Sequence, residues 1–276
     1  MATKWTSPVW RMPENSNQSK LDNYSLDFDG ANTDHISCGT GIGDSIGENY
    51  TGGMAISLWF KADTTASAEK GLFIFEGSTA WGEITAYFFG GKLELRVQGD
   101  DKNLDYTFSD TSSFHHLLIN FLGPSEDNQV YLDGQAIGPT FTYTSTGLDL
   151  QGEELQIGYT YSTSYPFRGK MSNFCVFKNS LSSSQISYLY NSGTPQNPMA
   201  IAGPAPIAYY LLGESSTGSS STLTIPNESG SNDTVFDSQG SGYITTSTLG
   251  DFSVSTSFSF SLWANIQDFV RYEHLF

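Results

Sequence analysis

Basic residues are scarce in this sequence. Its 276 residues include 12 Lys and Arg against 29 Asp and Glu, which gives a net charge of −17, and Arg271 is the only basic residue after position 200. Nucleic-acid binding requires clustered Lys and Arg that displace phosphate counterions, and an anionic membrane surface attracts the same sign of charge. We therefore expect neither partner. The acidity is expected to provide solubility in saline water, with cation binding by loop carboxylates as the alternative.

Cysteines and long apolar runs are also rare. Cys38 and Cys175 stand in separate apolar stretches far apart in the chain, so we expect buried free thiols, with a disulfide as the alternative. The opening residues Met1–Trp5 contain no apolar core of a signal peptide, and no run is long enough to cross a bilayer. We expect cytoplasmic synthesis without a cleaved signal and no membrane insertion.

Glycine and aromatic residues are abundant, with 28 glycines and 14% aromatics. This composition is typical of short strands joined by tight turns. Apolar alternation recurs between turn signals such as Gly90-Gly91 and Asp133-Gly134, which favour hairpins. The segment 182–193 favours a helix, because Ser182 and Gln185 complete a capping box. The pattern predicts a β-sandwich that follows a polar arm over residues 1–20.

A proline- and glycine-rich linker over residues 195–206 separates two stretches of similar pattern. Ile207–Glu214 parallels Pro8–Glu14, and four later segments repeat earlier ones in the same order. Such agreement of order and spacing predicts an internal repeat: a complete domain over 21–194 and the first part of a second over 207–276. Because the second copy stops inside an expected strand, we expect the natural protein to continue beyond Phe276, or the sequence to be a fragment. The later pairs are Val235–Asp237 with Asp27–Asp29, Ile244 with Ile36, Ser261–Trp263 with Ser57–Trp59, and Leu275–Phe276 with Leu72–Phe73.

The successive strand sequences carry a family resemblance. "SLDFDG", "DHISCG", "AISLWFK", "GLFIFEG", "HHLLINF", "VYLDGQAIG", "LQIGY" and "FRGKMSNFCVFKNSLSSSQISYLYNSG" resemble the laminin-G-like branch of the concanavalin A-like lectin/glucanase superfamily, over about Leu21–Thr194. The resemblance implies an all-β fold, an antiparallel two-sheet jelly-roll sandwich, with one complete and one partial copy. Tandem copies without a signal peptide are similar to structural proteins of marine phages. That similarity implies a location on a virion surface, or outside the cell, after cytoplasmic synthesis.

The carboxylate motif of the superfamily's glucanases is missing. Those enzymes carry acidic residues at alternate positions of one strand, where paired carboxylates about 5 Å apart act as acid and nucleophile. No Glu-x-Asp-x-x-Glu occurs in this sequence. Glu76 and Glu83 flank a turn, and the neighbours Glu153 and Glu154 should point to opposite faces of a strand. We expect no enzyme, and we expect the four histidines, including His115 and His116, to be structural rather than metal ligands.

A tyrosine-rich loop is the best candidate for ligand or partner binding. Tyr159, Tyr161 and Tyr165 stand among small hydroxylated residues, and such tyrosines can stack on sugar rings or pack on a protein partner. Trp81 is a second candidate. The alternative is that these aromatic residues cover the edge of the sandwich or a contact between subunits.

Calcium is the one cofactor that the sequence leaves open. Laminin-G-like domains often hold Ca²⁺ at a loop rim, and Asp44, Glu126 and Asp127 are loop donors that could do so here. No cofactor is expected to be required, because Asp133-Gly134 is explained by its hairpin turn alone.

Three functional hypotheses remain open. The first is a non-catalytic virion surface or appendage protein, a fibre, decoration or attachment module that contacts other virion proteins and forms homo-oligomers within an assembly. The second is a lectin-like, glycan-binding adhesin module. The third, disfavoured by the missing carboxylate motif, is a glycoside hydrolase.

Overall fold

A computed structural model describes residues 25–31, 35–65, 70–76, 82–99, 102–160 and 165–212, with short pieces at 217–219, 222–225, 227 and 229. All of them belong to one compact unit that ends at Thr234. The helices are α1 (Gly41–Ile46) and α2 (Ser183–Tyr190), with short 3₁₀ turns at Asn191–Gly193 and Pro198–Ala200. The strands are β1 (Leu26–Asp29), β2 (Ile36–Ser37), β3 (Met54–Ala62), β4 (Lys70–Glu76), β5 (Ile84–Phe89), β6 (Lys92–Val97), β7 (Lys102–Thr107), β8 (His115–Phe121), β9 (Asn128–Leu132), β10 (Gln135–Phe141), β11 (Glu154–Ile157), β12 (Arg168–Phe177), β13 (Ala208–Tyr210), β14 (Thr217–Ser219) and β15 (Thr222–Thr224).

Two antiparallel sheets form the sandwich. Within the described residues, one has the order β1-β12-β3-β8-β9-β10, with β13 also on β12, and the other has the order β2-β11-β4-β5-β6-β7. Strands distant in the chain are therefore neighbours in each sheet, as expected when sequential hairpins are closed by long connections. The expected all-β, two-sheet jelly-roll sandwich is confirmed.

Aromatic side chains fill the space between the sheets. Phe60 on β3 lies 5.4 Å, ring centre to ring centre, from Phe88 on β5. Phe73 on β4 meets Phe174 on β12 edge to face at 5.4 Å, an arrangement that the charge distribution of the rings favours. All four side chains are fully buried. Alternate residues of each strand point into this layer, so the intervening residues face away from it.

Three local predictions hold. Gly90 and Gly91 both have positive φ in the turn between β5 and β6, and Asp133 and Gly134 do so between β9 and β10. Ser182 and Gln185 form the capping box at the start of α2. Helix α1 was not expected, because the glycine-rich stretch that forms it carries no helical periodicity.

The strand β13 lies where the sequence places the beginning of a second copy. It pairs with β12 of the first sheet in the register Phe174↔Tyr210, Cys175↔Tyr209 and Val176↔Ala208. Its residues are buried on both sides, since Ala208 and Tyr210 belong to the main core and Tyr209 to a second cluster beneath α2. This segment is therefore an integral part of the first sandwich.

At Gly71, near the start of β4, the backbone of another segment lies very close to the Cα atom, and a substitution can test this packing. A Cβ atom there would lie 2.1 Å from the carbonyl carbon of Tyr159 and 2.4 Å from the backbone nitrogen of Thr160. We expect Gly71→Ala to lower the free energy of unfolding by about 2 kcal/mol, because backbone rather than a flexible side chain must move. The matched control is Gly41→Ala, where nothing lies within 4 Å. Urea denaturation should leave the control unchanged or slightly stabilised, and equal effects at both positions would contradict the packing argument.

Candidate functional site

The face of the six-stranded sheet that points away from the main core carries many polar residues, of which Thr85, Tyr87 and Glu94 are at most 1% exposed. In β11 the core residues are Leu155 and Ile157, so Glu154 and Gln156 face outward by alternation. The same alternation operates in β4, β5 and β6. We call this surface the polar face; its residues include Ser37, Glu76, Thr85, Tyr87, Glu94, Arg96, Glu154 and Gln156.

Three strands bring a hydrogen-bonded cluster together at one end of the polar face. Glu154 is opposite Glu76 in the β11–β4 ladder, and Gln156 is opposite Ser37 in the β11–β2 ladder. One Glu154 oxygen accepts a hydrogen bond from the Ser37 hydroxyl, and the other accepts one from Gln156 Nε2 at 3.2 Å. We call Ser37, Glu76, Glu154 and Gln156 the acceptor cluster, because its carboxylates can accept further hydrogen bonds from a ligand.

Partial burial and like charge both act on Glu76. Burial raises the pKa of its carboxyl group most, and the neighbouring Glu154 charge raises it further, while a hydrogen bond from Gln156 opposes the shift. Two carboxylates directly opposite one another on neighbouring strands repel when both are ionised. This region of the sheet therefore retains repulsion that a ligand donating hydrogen bonds, or a cation, would relieve.

A prediction follows for Glu76→Gln. The raised pKa means that the folded state holds a proton on Glu76 more tightly than the unfolded state does. The resulting stabilisation is present below the unfolded pKa and is lost as the pH rises through the folded one. At pH 7 we expect the variant to be more stable than the wild type by about 0.5 kcal/mol, the size of a like-charge cross-strand pair.

Urea denaturation at pH 7 and pH 4 measures this difference. The advantage should shrink or disappear at pH 4, where the carboxyl group is largely protonated. Glu48→Gln is the control, since Glu48 is exposed. A pH-independent gain at Glu76, or none, would contradict the assigned repulsion.

Two of the predicted aromatic residues, Tyr159 and Tyr165, lie within the described part of the chain, and Tyr159 is near the acceptor cluster. Tyr159 is only 6% exposed, and its ring centre lies 4.9 Å from that of His35. Burial raises the pKa of Tyr159, and the charge of Glu76 adds to the shift. Tyr165 is half-buried, and its carbonyl accepts a hydrogen bond from the Gly71 N–H at 3.1 Å. Tyr161 and Trp81 lie outside the described residues, and ligand binding by any of the four remains a prediction.

A second group on the polar face was not singled out from the sequence. The Tyr87 hydroxyl accepts a hydrogen bond from Arg96 Nε at 2.7 Å, and the guanidinium carbon lies 5.7 Å from the centre of the Tyr87 ring. Glu94 is 1% exposed. Burial raises the pKa of Tyr87, and Glu94 adds to the effect through a hydrogen bond. The Leu-Glu-Leu-Arg-Val alternation of β6 was the signal that could have placed these charged residues on one face.

The carboxylates that sequence analysis weighed as catalytic lie in different surroundings. Glu83 is 4% exposed, and its Oε1 accepts a hydrogen bond from the Asp149 N–H at 2.9 Å. Burial raises the pKa of Glu83. Glu153 is buried and Glu154 half-buried. The carboxylate that faces Glu76 is thus Glu154 rather than Glu83.

The calcium candidates are engaged with protein groups. Asp44 accepts hydrogen bonds from Thr40 Oγ1 and from the Gly152 N–H, each at 2.9 Å. Asp127 accepts one from Thr140 Oγ1 at 3.2 Å. Glu126 lies in the turn between β8 and β9, where its carbonyl accepts a hydrogen bond from the Asn128 N–H. Within the part of the chain that the structure describes, no three His, Cys, Asp or Glu residues cluster so as to hold a metal ion. Calcium binding by Asp44, Glu126 or Asp127 remains a prediction.

A cavity of about 360 Å³ lies beside α1, lined by residues that include Cys38, Ile42, Lys178 and Tyr210. Burial raises the pKa of the Cys38 thiol to about 12, although a hydrogen bond with Tyr210 opposes the shift. Burial also raises the pKa of the Cys175 thiol. Both cysteines are free, and their raised pKa values make them unreactive near neutral pH.

Comparison with known proteins gives distant structural similarities. A Trypanosoma rangeli sialidase has a TM-score of 0.47 at 14% identity, over 60% of this chain and 27% of that chain. A Bacteroides ovatus protein described as a candidate carbohydrate binding protein has a TM-score of 0.46 at 14% identity, over 64% and 54%. The binding domain of botulinum neurotoxin DC, solved with rat synaptotagmin II, has a TM-score of 0.38 at 14% identity, over 51% and 36%.

These likenesses are too remote to assign a ligand or a reaction, and this chain spans only 22–27% of the sialidase chains. No curated protein matches the sequence. Among the described residues, no helix is both long and apolar enough to cross a membrane. Residues 29–187 match the Laminin_G_3 family model, which is more than half of the chain. The protein belongs to the concanavalin A-like lectin/glucanases superfamily.

Proposed function

We propose that this chain is a non-catalytic attachment module that recognises glycans through the acceptor cluster of the polar face. The observation that carries the proposal is the convergence of Ser37, Glu76, Glu154 and Gln156 beside the aromatic residues His35 and Tyr159. Carboxylates and amides accept hydrogen bonds from sugar hydroxyls, and aromatic rings pack on the apolar face of a sugar. A fold used by lectins supports the same interpretation.

A glycan array with the labelled full-length chain, in the presence and absence of calcium, tests the proposal. The strongest hit would then be titrated calorimetrically into the wild type and variants. We expect Glu154→Gln to weaken binding at least about tenfold, because it removes a charged acceptor worth more than about 1.4 kcal/mol. The exposed Glu48→Gln control should bind like the wild type. An array with no binding under either condition, or equal binding by Glu154→Gln, would exclude the acceptor cluster as a glycan site.

Variants of the same residues test the proposal that the chain has no catalytic activity. Glycosidases need two carboxylates, and in retaining enzymes these lie about 5 Å apart; Glu76 and Glu154 are the opposed pair on this surface. We expect no hydrolysis of the bound glycan by the wild type. Turnover that Glu76→Gln and Glu154→Gln both abolish, but Glu83→Gln does not, would make the chain a hydrolase instead.

A second proposal concerns where the module works. We propose that it is part of an appendage or surface layer, such as a virion fibre, built from successive laminin-G-like copies. The internal repeat and the net charge of −17 support this role, since high charge of one sign keeps surface proteins soluble at high local density. Antibodies against the chain should label particles or filaments in electron micrographs of its source. Recovery of the chain only as a free monomer would argue against this role.

A further inference from the structure

The hydrogen-bond donors of the acceptor cluster are all used within the cluster. Its side chains offer as donors only the Ser37 hydroxyl and the N–H groups of the Gln156 amide. The hydroxyl donates to one Glu154 oxygen, and Gln156 Nε2 donates to the other at 3.2 Å. Gln156 also donates a hydrogen bond to the Glu76 carboxylate. The side-chain atoms that remain for a ligand can therefore only accept hydrogen bonds.

One of these remaining acceptors is a buried amide oxygen. Gln156 is 8% exposed, and its Oε1 atom is buried without a hydrogen-bond partner among the described residues. Turning the amide over would not help, because Nε2 would then leave the carboxylates and Oε1 would face them. Buried polar atoms in folded proteins nearly always have a partner. The Gln156 oxygen therefore indicates a donor that comes from outside the cluster.

The negative charge of the cluster has no partner in the surrounding chain. Glu76 and Glu154 are directly opposite each other in the β11–β4 ladder. Neither takes part in an ion pair with another described residue. The stretches of sequence that contain the cluster, 30–60, 71–91 and 103–167, include no Lys or Arg. The site thus combines two carboxylates with acceptor atoms alone.

We infer that the acceptor cluster selects glycans that carry free, protonated amino groups, as in amino sugars that are not acetylated. An ammonium group has three donors, a positive charge and no acceptor, which matches the free atoms of Glu76, Glu154 and Gln156. An acetylated amine has one N–H and adds a carbonyl oxygen, and an acidic sugar adds a negative charge. Both match this surface less well. The inference rests on the proposed glycan recognition and names the class of glycan.

A metal ion matches the same atoms less well than an ammonium group does. Ca²⁺ takes about six to eight oxygen ligands, and the cluster offers two carboxylates, one amide oxygen and one hydroxyl. Among the described residues, no group of three His, Cys, Asp or Glu side chains is placed to hold a metal. The rings of His35 and Tyr159, with centres 4.9 Å apart, favour an organic ligand, because aromatic rings pack on the apolar face of a sugar.

Calorimetric titration of the full chain with matched oligosaccharides tests the selectivity. Tetramers of glucosamine and of N-acetylglucosamine with the same linkage differ only in their acetyl groups, and galactosamine with its acetylated form gives a second pair. The buffer contains a chelator and about 0.15 M salt, at a pH where the amines are protonated and the carboxyl groups ionised. In at least one pair we expect the free amine to bind at least about tenfold more tightly, because charged hydrogen bonds are the stronger ones.

Variants assign this preference to the cluster. Glu154→Gln and Glu48→Gln each remove one negative charge, but Glu48 is exposed and lies outside the cluster. Glu154→Gln should weaken binding of the free amine about tenfold and so reduce the preference, while Glu48→Gln should keep it. Glu76→Gln should reduce the preference as well, although we expect it to stabilise the fold. Weaker binding by that variant could not be attributed to unfolding.

Four results would overturn the inference. Free amines that bind no more tightly than their acetylated partners would remove the selectivity; array hits that Glu154→Gln loses would then leave the proposed function standing. Equal losses in Glu154→Gln and Glu48→Gln would attribute amine binding to the net charge of the chain. A lysine tetrapeptide that binds as tightly would make the ligand a protein. Binding only when calcium replaces the chelator would make it a metal-dependent site. An array without any hits would instead exclude the proposed function itself.

Discussion

Asn128→Asp is expected to lower the free energy of unfolding by at least about 3 kcal/mol. Asn128 is fully buried at the start of β9. Its amide nitrogen donates hydrogen bonds to the carbonyls of Phe141 at 2.8 Å and Gly123 at 2.9 Å. Its amide oxygen accepts one from the Leu122 N–H at 2.7 Å. The side chain therefore satisfies backbone groups of the β8–β9 turn and of the end of β10 at the same time.

The change from amide to carboxylate is nearly isosteric, so packing stays the same and hydrogen bonding alone changes. An aspartate cannot donate, and its oxygen would face the carbonyls of Gly123 and Phe141 without a proton between them. Each buried polar group left unsatisfied costs about 1–3 kcal/mol, and an unpaired buried charge costs more. The variant should recover part of its stability in acid, where the carboxyl group is protonated and can donate one bond.

Urea denaturation of the wild type and Asn128→Asp at pH 7 measures the effect. Asn179→Asp is the matched control, because the Asn179 side chain is only partly buried and donates one hydrogen bond, to its neighbour's carbonyl. The control should lose less than about 1 kcal/mol. An equal loss of unfolding free energy in the two variants would mean that the hydrogen bonds of Asn128 do not stabilise the β8–β9 turn.

Local chemistry made parts of this fold predictable from the sequence. Gly90-Gly91 and Asp133-Gly134 mark their turns because positive φ is needed there and few residues adopt it. Ser182 and Gln185 mark the start of α2 because both bonds of a capping box join residues three apart. In each case the residues that interact are neighbours in the chain, so the pattern contains both partners.

The candidate site required partners that sequence alone does not pair. Ser37 and Glu154 are 117 residues apart when they hydrogen-bond, and alternation shows only that each faces outward. The order of strands places β11 between β2 and β4. This order decides that the carboxylate opposite Glu76 is Glu154 and not Glu83. The burial of Tyr159 has the same origin, because a tyrosine in a loop looks exposed until the strand beneath it is known.

The position of β13 shows what an internal sequence repeat can predict about the fold and what it cannot. The repeated pattern identified Ile207 onward as the beginning of a strand-containing segment, and a strand is present at Ala208–Tyr210. A repeat in sequence specifies which segments are equivalent, but it does not specify which copy supplies the strand to a given edge.

Acidification should unfold the protein through His116. Its side chain is fully buried on β8, where Nε2 lies 2.8 Å from the Ser57 hydroxyl oxygen and the ring centre lies 5.1 Å from that of Trp59. Burial lowers the pKa of His116 to about 3, although the Asp133 charge opposes the shift. The histidine is therefore neutral in the folded state throughout the physiological range, and protonation requires that the imidazole leave the core.

The sign of the pH dependence follows from this lowered pKa. Below pH 6.5 the unfolded chain binds a proton on His116 and the folded chain does not, so stability falls as the pH falls, until the folded pKa is reached. Each pKa unit corresponds to about 1.4 kcal/mol, which gives a loss of about 3 kcal/mol in the free energy of unfolding between about pH 6.5 and about pH 4.

Urea denaturation across this range should show a smaller loss of stability on acidification for His116→Gln, because its side chain stays neutral and can keep a hydrogen bond to Ser57. Ser57→Ala, which removes that partner but keeps the histidine, should be less stable at every pH with the acid slope of the wild type. Equal slopes in the wild type and His116→Gln would mean that other groups, and not the buried imidazole, govern acid unfolding.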